Sequence, residues 1–240
     1  MTSHFPSFLR LYRSEFKLSV WLLTVLFVMG HTFTLIILQI TKEPSAPLLA
    51  GVLLPCVLTL LFVVFAIGDL VSGFDLFLRF GATRHETIRS IVLEKLALVG
   101  LSSVIIIAFT AIERAVFPPL WMKLLGLSQL RMEELVHPEG SLPPADTFFA
   151  ADFSLDWWWT PLILVGALLA GALIGAVIRR FGRQMGTALY LLWILLCITT
   201  TSWLPLVRAH LTVLLPALVL AVLAGLVWMV HYLLHTSCHT

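Results

Sequence analysis

At 240 residues, with 60% hydrophobic and 12% charged side chains, the chain carries about half the charge of a soluble domain. No soluble core of this length hides so much apolar surface, so its natural solvent is lipid, in line with a mean hydropathy of +1.01. A net charge of +2 gives no footing for nucleic-acid binding, and Cys56, Cys197 and Cys238 form no disulfide framework.

The first predicted element is an interfacial helix over Phe5–Lys17. Phe5, Phe8, Leu9, Tyr12 and Phe16 fall near one helical face, with Arg10, Arg13 and Lys17 elsewhere. The simpler alternative is a basic flank that fixes topology. Six apolar runs follow, each near the roughly 20 residues that cross a bilayer: Leu18–Ile40, Leu48–Leu70, Ile91–Ile112, Trp159–Ile178, Thr187–Leu204 and Leu211–Leu234. The first lacks a small-residue cleavage site and is expected to stay as a span. The fold class expected is all-α, a single polytopic membrane domain over 1–240 with six transmembrane helices.

Lys and Arg set the orientation. With the N-terminus inside, ten lie on the cytoplasmic side (Arg10, Arg13, Lys17, Arg79, Arg84, Arg89, Lys95, Arg179, Arg180 and Arg183). Five lie outside (Lys42, Arg114, Lys123, Arg131 and Arg208). Both termini are therefore expected in the cytoplasm, with the chain in the plasma (inner) membrane. The long segment 117–158 is expected outside. Pro118, Pro119, Pro143 and Pro144 punctuate it, Leu120–Leu135 has helical spacing, and Trp157, Trp158 and Trp159 mark re-entry. Its acidic residues are Glu133, Glu134, Glu139, Asp146, Asp152 and Asp156. The alternative is a disordered insertion.

The stretch from Asp69 to Lys95 carries the most chemistry. Phe74, Phe77, Leu78 and Gly81 lie near one helical face. Gly81 is a natural helix stop, and Thr83 followed by Glu86 is a capping box that starts a new helix. A short aromatic-faced helix over 74–85, flanked by arginines, suits docking to a partner. The alternative is that Phe74, Phe77 and Phe80 sit in the inner leaflet.

Phe80-Gly81-Ala82-Thr83-Arg84, between the second and third of six spans, resembles the "G-[variable]-[Ser/Thr]-Arg" element of small ABC-2-type transporter permeases. The N-terminal interfacial helix and the topology are also similar to that family. The resemblance implies a coupling helix docked on a separate ATP-binding subunit through Phe74, Phe77, Phe80, Gly81, Thr83, Arg84 and Glu86. It also implies a second permease copy or homologue, with ATP and Mg held on the partner ATPase. The chain itself has no G-x-x-x-x-G-K-[ST] loop. It departs from the family in its outer element, which lies between spans three and four instead of five and six, where only Ser202–His210 is available.

Other constellations have plainer readings beside them. Arg179, Arg180 and Arg183 are a possible second contact with the ATPase or with lipid headgroups, or a topology signal. Ala167, Gly171 and Gly175 permit close helix approach, between subunits or within one. His231, His235, Cys238 and His239 have helical ligand spacing but no H-E-x-x-H pattern, and no metal is expected. His31 is the clearest ionisable residue inside a span. Asp69, Glu94, Lys95 and Glu113 lie at span ends, where snorkelling is expected, and Glu94 and Lys95 are placed to pair with neighbouring spans. So little buried charge disfavours an ion-coupled carrier and suits a hydrophobic, amphipathic or peptide-like substrate. The expected function is the permease of an ABC exporter. The alternatives are a membrane-embedded enzyme and an immunity or receptor-type binding module.

Overall fold

The computed structural model describes residues 5–81, 83–134, 147–199 and 211–235. It is mostly helical. Among the described residues, four helical runs are long and apolar enough to cross a membrane: Ser14–Thr41, Ala50–Arg79, Arg84–Leu124 and Trp159–Phe181. The chain is therefore a membrane-embedded, multi-pass protein.

Helix α1 runs unbroken over Phe5–Thr41, so the stretch Phe5–Lys17 and the first apolar run are one rod. Pro6 does not interrupt it, because a proline in the first turn sacrifices no internal hydrogen bond. The helix ends where Lys42 takes a positive φ of 54° and its N–H returns to the Leu38 carbonyl at 2.9 Å. Strand β1 (Ser45–Leu48) leads to α2 (Ala50–Gly68), a π-helical turn (Asp69–Gly73) and α3 (Phe74–Arg79). Gly73 keeps right-handed helical angles, φ −65° and ψ −43°. The short helix expected over 74–85 is α3, which continues α2 through the π-helical turn and ends at Arg79.

Helix α4 covers Arg84–Leu124 and contains Pro118 and Pro119. The segment expected to leave the helix at Phe117 does so only after Leu124. Burial supplies the reason: Trp121 is fully enclosed, and Phe117 and Met122 pack beside it. Two strands follow, β2 (Gln129–Glu134) and β3 (Thr147–Asp152), then α5 (Trp159–Phe181), α6 (Arg183–Ile198) and α7 (Leu211–His235). The fifth expected run, Thr187–Leu204, is helical through Ile198. Residues 200–204 of that run and the Ser202–His210 connection lie outside the described residues.

The chain divides into two compact units, one from Met1–Leu61 with Glu94–Gly166, the other from Phe62–Leu93 with Ala167–Thr240. The first holds a small three-stranded parallel sheet in the order β1-β3-β2, an addition to the expected helical membrane architecture. Pro47 sits in β1, an edge strand, where a missing N–H is tolerated. Leu38, Ala46, Leu48, Trp121, Phe148 and Ala150 form the core beneath. Along α1 and α4, Glu15 meets Lys95, Phe27 stacks on Phe109 and His31 meets Glu113. Partners advance together along the chain, so the two helices run in the same direction, as a first and third span must.

In the second unit, Leu70, Phe74, Ala176 and Leu233 form the core. A Cβ on Gly171 would lie 2.6 Å from the Val63 carbonyl oxygen, and one on Gly175 3.1 Å from Leu70 Cβ. The small-residue row of α5 is thus filled by α2 of the same chain.

Candidate functional site

The turn between α3 and α4 is built as its residues dictate. Gly81 has φ +83°, open to glycine at little strain. Its N–H donates to the Leu78 carbonyl at 3.1 Å. Thr83 then forms a reciprocal capping box. Its backbone N–H donates to Glu86 Oε2 at 3.1 Å, and Glu86 N–H donates to Thr83 Oγ1 at 3.3 Å. The Thr87 hydroxyl donates to the Thr83 carbonyl at 3.0 Å. Thr83→Ala should weaken this first turn by about 1 kcal/mol, and Gly81→Val by more, because a β-branched residue is strained at that φ. Faster amide exchange over residues 84–88 measures both. Equal exchange in Gly81→Val and Thr83→Ala would contradict the ranking.

The aromatic face is not the exposed surface that the sequence suggests. Phe74 and Phe77 are 1% and 5% exposed. Leu70, Phe74 and Phe77, at helical spacings of four and three, share one buried face, and Leu70 and Phe74 pack there with Ala176 of α5 and Leu233 of α7. Phe80, at the tip, is 79% exposed. Of the three predicted docking phenylalanines, one therefore remains at the surface.

The predicted arginines fasten this turn. The Arg179 guanidinium pairs with Asp75, donates to the Leu70 carbonyl at 3.2 Å and lies 4.5 Å from the Phe74 ring centroid. Arg180 lies over the rings of Phe181, Trp228 and Tyr232 at 5.5 to 5.6 Å. Arg84 reaches the Leu233 and Leu234 carbonyls near the C-terminal end of α7 at 3.4 Å, where a cation suits the exposed carbonyls. Arg84, Arg179 and Arg180 thus have partners within the chain. The Arg183 side chain lies outside the described residues, as do the side chains of His235, Cys238 and His239. His231 is exposed. Among the described residues no three His, Cys, Asp or Glu side chains converge on a point.

A second polar cluster, in the first unit, was only half legible. Glu113 is 2% exposed. Its carboxyl oxygens accept from Leu49 N–H at 3.1 Å and from Ala50 N–H at 3.0 Å, at the start of α2. His31 Nε2 stands 3.7 Å from Glu113 Oε1, with its ring stacked 3.7 Å from that of Phe117. Nearby, Arg114 Nε pairs with Asp152 Oδ2 at 2.7 Å. Further along the same two helices, buried Lys95 pairs with Glu15 of α1 and approaches Glu94 at 3.5 Å. The expected pairing of Lys95 with a neighbouring long helix is present. The expected snorkelling is not: Asp69, Glu94, Lys95 and Glu113 are all buried. A carboxyl in an apolar run signals such a cluster, but its partner backbone lies more than sixty residues away.

Comparison with protein-family models, curated proteins and solved structures returned no match to this chain.

Proposed function

We propose that the chain is the permease subunit of an ATP-driven ABC-type transporter, exporting a hydrophobic, amphipathic or peptide-like molecule. It has six spans and cytoplasmic termini in the plasma (inner) membrane. Two permease copies, or one with a homologue, work with separate ATP-binding subunits that hold ATP and Mg.

One observation carries this reading: an exposed aromatic, Phe80, at the tip of a turn whose neighbouring residues are tied to the chain by hydrogen bonds and an ion pair. Gly81 sets the bend, Thr83 and Glu86 cap the next helix, Asp75 is held by Arg179 of α5, and Arg84 holds α7. A surface turn with no transmitting role needs neither an exposed phenylalanine nor clamps to two other helices. A push on Phe80 by a partner is delivered through Arg179 and Arg84 to α5 and α7 instead of being absorbed locally. Docking thus narrows from the face predicted over 74–85 to the tip at Phe80 and Gly81. Phe74 and Phe77 act behind it by packing.

A photo-crosslinking residue at Phe80, in native membranes, tests the contact. The adduct is expected to be a chain with a G-x-x-x-x-G-K-[ST] loop, identified by mass spectrometry, and the same residue at Val227, also exposed, should not give it. Adducts to lipid alone at Phe80 would contradict the proposal.

A further inference from the structure

Arg180 stands in the last turn of α5, where that apolar helix ends at Phe181. The end of a span lies at the level of the lipid headgroups. The exposed guanidinium is cradled by rings, with the Phe181, Trp228 and Tyr232 centroids at 5.5 to 5.6 Å. The Trp228 and Tyr232 rings lie parallel within 10°. Its neighbour Arg179 is neutralised by Asp75, but among the described residues no carboxylate pairs with Arg180. Ring faces attract a cation without accepting the short charge-assisted bonds its N–H groups offer. We propose that this cradle binds the phosphate of an anionic phospholipid.

The guanidinium fork matches two phosphate oxygens at once, and the rings hold it in place before the ligand arrives. The surface beneath the cradle names the source of the phosphate. Toward the membrane interior from Trp228, α7 presents Leu220, Leu223 and Val227, all exposed. Ala224, one turn below Trp228, is exposed as well. A lipid held at Arg180 lays an acyl chain along that apolar face, whereas free phosphate uses none of it. A zwitterionic headgroup brings its own cation to its phosphate, so an anionic lipid gains more from Arg180. The site is separate from the Phe80 tip and needs no ATPase.

Native mass spectrometry of the purified chain, released from detergent with dioleoyl phosphatidylglycerol or dioleoyl phosphatidylcholine, tests this. The chain should retain phosphatidylglycerol in clear preference to phosphatidylcholine, and excess inorganic phosphate should not displace it. Arg180→Ala should weaken retention about tenfold or more, the loss expected for a hydrogen bond between charged groups. Arg79→Ala is the control. Arg79 is an exposed arginine one turn beyond Asp75, the partner of Arg179, and its loss removes the same charge from the same end of the unit. It should leave retention unchanged. If Arg180→Ala does not fold, Arg180→Gln, which keeps N–H donors without the charge, takes its place with the same expected loss. Trp228→Leu with Tyr232→Leu keeps the charge but removes the cradle, and should also weaken retention. Equal retention of the two lipids, displacement by inorganic phosphate, equal losses at Arg79 and Arg180, or full retention without the two rings would each overturn the proposal.

Discussion

Gly171→Val is expected to destabilise the protein by about 3 kcal/mol, near the upper end for forced overpacking. The Cβ it adds would lie 2.6 Å from the Val63 carbonyl oxygen and 2.9 Å from both Val63 Cα and Ala66 Cβ. Two of those are backbone atoms of α2 and cannot swing aside, so the helices must separate, and the contacts around Gly175 go with them. In lipid this loss is felt directly, because close packing rather than water exclusion holds spans together. Gly166 is the control. A Cβ there meets nothing within 4 Å, and Gly166→Ala should be neutral or slightly stabilising from helix propensity alone. Thermal unfolding in lipid nanodiscs separates the two. Equal midpoints for Gly171→Val and Gly166→Ala would show that α2 and α5 do not approach as described.

Glu113→Ala should cost about 3–5 kcal/mol. The carboxyl oxygens satisfy the N–H groups of Leu49 and Ala50, and Ala50 is itself buried. Each orphaned buried donor costs about 1–3 kcal/mol. His31 would also lose its neighbour at 3.7 Å. Glu113→Gln keeps one oxygen acceptor at the same reach and should cost clearly less, about 1–2 kcal/mol. The ordering matters more than either value. If Ala and Gln were equally damaging, charge rather than donor satisfaction would be the role of Glu113.

The helices were legible because lipid selects for long apolar runs, and the turn at Gly81 because its chemistry is local. Gly81 must supply a positive φ, and Thr83 and Glu86 lie within one helical turn. The sheet was not legible. β1 is four residues with a proline and pairs with β3 only through distant chain, and β2 has no β-branched residue. Nor could periodicity tell that Phe74 and Phe77 face inward. That depends on Ala176 and Leu233 from far along the sequence. The same distance hides the partners of Glu113 and Arg84. Residue types announced that something must meet them; only the fold says what.

The central claim is that the Phe80 tip couples a separate ATPase to this chain. It is tested most directly by ATP hydrolysis of the purified complex in nanodiscs, comparing the native chain with Phe80→Ala. Thr83 and Arg84 stay in place, so the variant keeps its turn. The account predicts that Phe80→Ala unfolds at the native midpoint but loses the ATPase on purification or loses the stimulation of hydrolysis by the permease. Losing a buried phenylalanine contact of about 1.5–3 kcal/mol weakens the association by roughly ten- to a hundred-fold. A Phe80→Ala chain that retains its ATPase in full and stimulates hydrolysis as the native chain does would contradict it.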